Sequence, residues 1–149
     1  MIKALRTNSQ NQDFVNLVSQ LNAYLKTVDG EEHEFYNQYN NIDILKHVVV
    51  VYYQNKAVGC GAFKPFNDET VEIKRMYTDP EYRKLGVAAS VLVHLETWAK
   101  EEGFKACVLE TGKRQTEAVS FYKKMNYQCI PNYGQYIGIS NSICFKKIL

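Results

Sequence analysis

The spacing of apolar residues changes period along the chain, and each change marks an element. Residues 2–5 read as a short strand. Ser9 and Gln12 then have the spacing of a capping box, in which each polar side chain satisfies an orphan amide of a first helical turn. Phe14, Leu17, Val18, Leu21 and Leu25 follow at helical spacing as one apolar face, and Asp29-Gly30 supplies the stop. Residues 31–40 are polar with Phe35, Tyr36 and Tyr39 embedded, and read as a second short helix or an irregular connection.

From Lys46 the pattern turns to β-branched and aromatic residues. Residues 48–53 and 57–63 predict a hairpin across Gln54-Asn55-Lys56, and residues 71–77 a third strand after the Asn67-Asp68-Glu69 turn. Three strands joined by turns make an antiparallel meander, which disfavours a doubly wound Rossmann sheet. Residues 86–102 carry Val87, Val91, Leu92, Leu95 and Trp98 as a helical stripe ended by Gly103, and residues 105–111 return as a strand. That order implies a right-handed parallel crossover inside a mixed sheet. Residues 116–125 form another helix with Asn126 at its stop, and residues 127–130 and 143–147 are closing strands. The fold class is α/β in the α+β sense, a mixed and mostly antiparallel sheet flanked by about four helices.

Composition narrows the function classes. At 149 residues one domain is expected, and 46% apolar with 13% aromatic residues excludes disorder for most of the length. Eighteen basic against sixteen acidic residues leave a net charge of +2, too small to support a phosphate-backbone binder, so no nucleic-acid partner is expected. The longest apolar run, residues 48–53, is too short for a membrane helix, and the first six residues lack a secretory signal. A cytoplasmic home with reduced thiols follows as the expectation. Cys60, Cys107, Cys129 and Cys144 contain no C-x-x-C pair and read as inert core residues. His33, His47 and His94 make no metal pattern, and no metal is expected.

Chemistry concentrates between Val71 and Ala89. Along Val71-Glu72-Ile73-Lys74-Arg75-Met76-Tyr77 the apolar phase starts on odd positions and slips to Met76. A β-bulge near residues 75–77 would restore the facing and leave backbone groups unpaired for a ligand. A half-exposed strand end is the alternative. Next comes Arg83-x-x-Gly86-x-Ala88, opening the strongest helix pattern in the chain. Free first-turn amides, a positive dipole end and small residues at Gly86, Ala88 and Ala89 suit a phosphate or pyrophosphate. A solvated helix start is the alternative there.

Residues 71–95 resemble motif A of the Gcn5-related N-acetyltransferases (GNAT), whose Arg/Gln-x-x-Gly-x-Gly/Ala loop binds the pyrophosphate of acetyl-coenzyme A. The likeness continues through Glu110-Thr111-Gly112 and Ala118-Val119-Ser120-Phe121-Tyr122-Lys123-Lys124-Met125-Asn126-Tyr127, similar to the family's second coenzyme-binding helix. It covers residues 46–130 well; the N-terminal third matches only in element order, residues 131–142 fall in a family-variable region, and Ala88 replaces the commoner Gly. The resemblance implies an acyl-CoA N-acyltransferase fold with a splayed parallel strand pair, and acetyl-CoA as co-substrate without a metal. It places Met76, Tyr77 and Thr78 along the pantetheine arm, and Lys84, Leu85, Gly86, Val87, Ala88 and Ala89 on the pyrophosphate with Arg83 adding charge. Tyr122 matches the tyrosine placed near the sulfur, with a packing tyrosine at the core edge as the alternative.

Acetyl transfer needs an uncharged amine, whereas an alkyl amine has a pKa of about 10.4, so a carboxylate or water chain must take a proton. Glu72 and Glu110 are the candidates, Glu72 slightly preferred, with an ordinary ion-paired or solvated role as the alternative for each. The implied acceptor is a small-molecule or peptide amine, facing Phe35, Tyr36, Tyr39, Tyr133 and Tyr136, which could equally be packing residues. The resemblance implies a ternary complex and is compatible with a homodimer, which the sequence does not demonstrate. A non-catalytic acyl-CoA sensor of the same fold and a different nucleotide-phosphate binder remain alternatives.

Overall fold

The computed structural model describes residues 2–30 and 44–149. Its strands are β1 (Ile2–Thr7), β2 (His47–Tyr53), β3 (Lys56–Pro65), β4 (Thr70–Thr78), β5 (Ala106–Gly112), β6 (Gln128–Ile130) and β7 (Ser142–Ile148). They form one mixed sheet in the order β1-β2-β3-β4-β5-β7-β6. Three α-helices flank it among the described residues: α1 (Gln12–Asp29), α2 (Val87–Glu101) and α3 (Thr116–Lys124). None of the described helices is long and apolar enough to cross a membrane.

The meander forms as its sequence implies. β2 and β3 are joined by Gln54 and Asn55, both at positive φ (49° and 67°), the two-residue turn whose twist matches a hairpin. Asn67 fixes the next turn by accepting hydrogen bonds from the amides of Glu69 and Thr70, each at 2.9 Å. The start of α1 differs from expectation. Asn11 is the N-cap, its Oδ1 accepting from the Phe14 amide at 3.0 Å. Ser9 does not cap: its Oγ accepts from the Leu45 amide at 3.0 Å, pinning the strand exit to the start of β2. A tertiary partner has displaced the local one.

The sheet has two apolar faces. Val49, Val51, Phe63, Val71, Ile73, Leu109 and Phe145 pack with Val87, Val91, Leu92 and Leu95 of α2. Phe14 and Leu17 of α1 pack with Val48, Val50, Cys60 and Ala62 on the other face. Gly59 and Gly61 let α2 lie flush on β3: a Cβ on Gly61 would meet Met76 Sδ at 2.5 Å and Val91 Cγ1 at 2.7 Å.

Trp98 packs against the core with the rest of its stripe, half-buried at the rim beneath Arg6 and beside His47, and Glu96 and Ala99 take further buried positions. Glu96 is tolerated there because Tyr127 donates to it at 2.8 Å and Lys147 pairs with it at 3.1 Å. One expectation about side chains needs correction: Cys60, Cys107 and Cys144 are buried, but Cys129 is exposed on β6, the edge strand of the sheet.

Candidate active site

β4 and β5 are the parallel pair, and they pair only over Thr70↔Ala106, Val71↔Cys107 and Glu72↔Val108. Both strands run on, β4 to Thr78 and β5 to Gly112, without further ladder bonds between them. The gap is a wedge whose walls are main chain. The expected bulge lies inside it: β3 pairs Cys60↔Tyr77 but Ala62↔Lys74, so β4 carries one extra residue there. Arg75 absorbs it at φ 60°, returning Met76 to the α2 face and Tyr77 to the α1 face.

The corner after β4 is built by two left-handed residues, Lys84 (φ 68°) and Gly86 (φ 79°). Asp79 starts it by accepting from the Glu81 amide at 3.0 Å. Gly86 is the N-cap of α2 and offers no side chain to the first turn, whose amides therefore stay open. Among the described residues, sequence neighbours apart, nothing lies within 4 Å of where a Cβ on Gly86 would sit.

A cleft of about 590 Å³ connects this corner to the wedge and is closed on its far side by α3. Met76, Tyr77, Thr78, Arg83, Lys84, Gly86, Val87, Ala88 and Ala89 all line it. Leu85 does not; its side chain points outward, 46% exposed. Arg83 bridges the mouth to Glu117 of α3 at 3.0 Å.

A smaller cavity of about 130 Å³ adjoins it on the α1 side. Tyr122, Met76, Gln115, Ala118 and Leu21 line both spaces, so the phenol stands at their junction. Tyr122 is buried, and its hydroxyl has no hydrogen-bond partner among the described residues. Burial, with the charge of Glu110 nearby, raises its pKa far above the ordinary phenol value, so it is a neutral donor.

Glu72 and Glu110 both line the smaller cavity. Glu72 accepts from the Tyr133 hydroxyl at 2.7 Å, and Glu110 from the Ser142 hydroxyl at 2.7 Å. Tyr136 lines the cavity too, whereas Tyr133 stands behind Glu72 and packs on Phe66 and Tyr136. Burial and the neighbouring carboxylates raise both phenols' pKa values. Phe35, Tyr36 and Tyr39 lie outside the described residues. Among the described residues, no cluster of three or more His, Cys, Asp or Glu is placed to hold a metal.

Sequence reasoning missed the α1 wall and, on α3, where it read residues 118–127 as a coenzyme-binding helix, singled out only Tyr122. Leu21 and Tyr24 of α1, and Gln115, Glu117 and Phe121 at the start and along α3, complete the cleft. Leu21 was readable as part of an apolar face, but which wall that face would complete depends on where α1 docks. Tyr82, from the 3-10 turn Pro80–Tyr82, was within the quoted motif without being singled out.

Comparison with known proteins identifies this arrangement. A model of the Acetyltransferase (GNAT) family matches residues 14–127. Probable N-acetyltransferase 14 of Xenopus tropicalis is 37% identical over 91 residues, which are 60% of this chain and 44% of that protein. The uncharacterized N-acetyltransferase YsnE of Bacillus subtilis is 31% identical over 97 residues, 64% of each chain. The chain spans about half the length of the curated relatives it matches. A crystal structure from Klebsiella pneumoniae, assigned to the acyl-CoA N-acyltransferases, superposes with a TM-score of 0.85 at 24% identity, covering 100% of this chain and 98% of that one. A GNAT family acetyltransferase of Elizabethkingia anophelis, solved with acetyl-CoA bound, gives a TM-score of 0.71 at 20% identity, covering 99% and 98%.

Fold and family model agree on the class: a mixed-sheet acyltransferase architecture with a wedge between its parallel strands. The chain belongs to the GNAT family of acetyltransferases.

Proposed function

We propose that the protein transfers an acetyl group from acetyl-CoA to a primary amine, by direct attack in a ternary complex. The observation that carries this reading is the continuous cleft from the bare first turn of α2, past the bulged end of β4, to the buried Tyr122 hydroxyl. The residues present fit the coenzyme. The space above Gly86 is open, the first-turn amides through Ala89 have no side-chain cap, and Arg83 and Lys84 add positive charge at the rim. These would hold the pyrophosphate, and the main chain of Met76, Tyr77 and Thr78 would receive the pantetheine arm in the wedge.

Acetyl-CoA, when bound, supplies an acyl group activated by a thiol leaving group. Tyr122 keeps its proton through the working pH range and is the donor for the departing sulfur. Glu110 is the base, directly or through water. What supports Glu110 over Glu72, reversing the order expected from sequence, is that its charge acts on the Tyr122 hydroxyl while that of Glu72 acts on Tyr133; Tyr136 feels both. Base and acid must flank the same reacting carbon.

Calorimetry with coenzyme A, followed by thiol-release assays of acetyl-CoA against primary amines, tests the proposal. Binding together with amine-dependent thiol release is the expected result. Tight binding without release from any amine would favour an acyl-CoA sensor, and failure to bind coenzyme A would overturn the reading of the corner.

A further inference from the structure

The smaller cavity contains a carboxylate that the transfer step leaves unused. Glu72 is 4% exposed, and its side chain lines the cavity. Its Oε2 accepts one hydrogen bond, from the neutral hydroxyl of Tyr133. Among the described residues Oε1 has no hydrogen-bond partner, and no cation pairs with the carboxylate. Lys74 and Arg75 share the lining but have partners of their own. A carboxylate taken out of water is tolerated when a cation or several donors compensate it. One phenol falls short of that, which leaves the carboxylate under-compensated.

The surroundings suit such a cation. Tyr136 is 5% exposed, lines the same cavity and lies within electrostatic reach of both Glu72 and Glu110. An aromatic face beside a carboxylate attracts ammonium and guanidinium groups. The two acids are also separated in a defined way. Glu72 faces Val108 across the ladder, and Glu110 lies two residues further along β5 on the same sheet face. Strand spacing and rise then put the two Cα atoms roughly 8 Å apart, a span that a chain of a few methylenes bridges.

We propose that Glu72, with Tyr133 behind it and Tyr136 beside it, forms a subsite for a second cationic group of the acceptor, which is therefore a diamine or another primary amine bearing a second basic group. The inference rests on the acetyl-transfer reading above, with the reacting amine at Glu110 and Tyr122. A neutral or anionic far end would leave the buried carboxylate uncompensated or repelled.

The test compares kcat/KM for 1,4-diaminobutane, butylamine and 4-aminobutyrate by thiol release from acetyl-CoA. The diamine is expected to exceed butylamine by about tenfold or more, with 4-aminobutyrate poorest. Glu72→Gln preserves an acceptor for the Tyr133 hydroxyl and is expected to bring the diamine-to-butylamine ratio close to one. Tyr133→Phe is the second variant, expected to reduce the same ratio. A ratio near one in the unaltered protein, or preference for 4-aminobutyrate, overturns the subsite. So does a Glu72→Gln protein in which both acceptors lose kcat equally and the ratio persists, since that is the behaviour of a lost base. Thiol release from butylamine without diamine preference overturns the subsite and leaves acetyl transfer standing. Absence of release from every amine overturns both.

Discussion

Tyr122→Phe separates chemistry from packing because it deletes one oxygen and keeps the ring. The ring contacts to Phe121, Tyr127 and Phe145, with centroids 5.2, 5.8 and 6.2 Å away, remain available to phenylalanine. The lost hydroxyl has no hydrogen-bond partner among the described residues, so no buried donor or acceptor is stranded. Stability is therefore expected to change by no more than about 0.5 kcal/mol, or roughly 1–2 °C in Tm. Turnover is a different matter. A positioned proton donor or charge-stabilising hydroxyl contributes about 10- to 1000-fold, which is about 1.4–4 kcal/mol of barrier. The expected result is a kcat lowered by that factor, with coenzyme affinity nearly unchanged, because the contact tightens only as the sulfur gains charge. The same buried hydroxyl sets a pH signature. Its pKa lies above the ordinary value of 10, so the phenol stays protonated, and Tyr122 contributes no descending limb to kcat up to about pH 10. Thermal denaturation and steady-state thiol release on the purified variant measure both halves. A kcat within threefold of the unaltered protein, or a Tm drop of many degrees, would refute the reasoning.

Three further outcomes are expected. Gly86→Glu fills and charges the open corner at the start of α2, so calorimetric binding of coenzyme A should disappear; retained binding would show that the phosphates lie elsewhere. Gly61→Ala puts a methyl group at 2.5–2.9 Å from Met76, Val91 and Leu95 and is expected to cost about 1–3 kcal/mol, read as a lower urea midpoint. Burial raises the thiols of Cys60 and Cys107 from their ordinary value of 9.0 to about 12. The unfolded chain then loses these protons first as pH rises, so each thiol removes roughly 1.4 kcal/mol of stability per pH unit above pH 9, until its folded pKa is reached. A urea midpoint that stays flat between pH 8 and pH 10.5 would count against that burial.

The corner at Arg83-x-x-Gly86-x-Ala88 and the bulge near Arg75 were legible from residue order because both are local. A glycine that must sit at positive φ, small residues in a first helical turn, and an apolar phase that slips by one position are recorded within a dozen residues of each other. The crossover strand was legible for a related reason, since a helix between two apolar strands can return only beside its partner or further away. The Ser9 cap failed on the same scale. Its hydroxyl had a local partner by spacing and a better one in Leu45, 36 residues away, that no window contains.

Packing resolved what spacing left open. Glu96 is held in its buried position by Tyr127, just before β6, and by Lys147 of β7. Glu72, on the strand feeding the bulge, was slightly preferred from sequence over Glu110 at the end of the returning strand. Their difference arises where β4 and β5 part after three paired residues, which leaves Glu110 acting on Tyr122 and Glu72 against Tyr133. Residue order carried the identity of the groups and their local geometry. Which groups share a cavity, and which charge acts on which proton, came from long-range docking of α1, α3 and the Tyr133 segment, because electrostatic coupling depends on distance through space rather than along the chain.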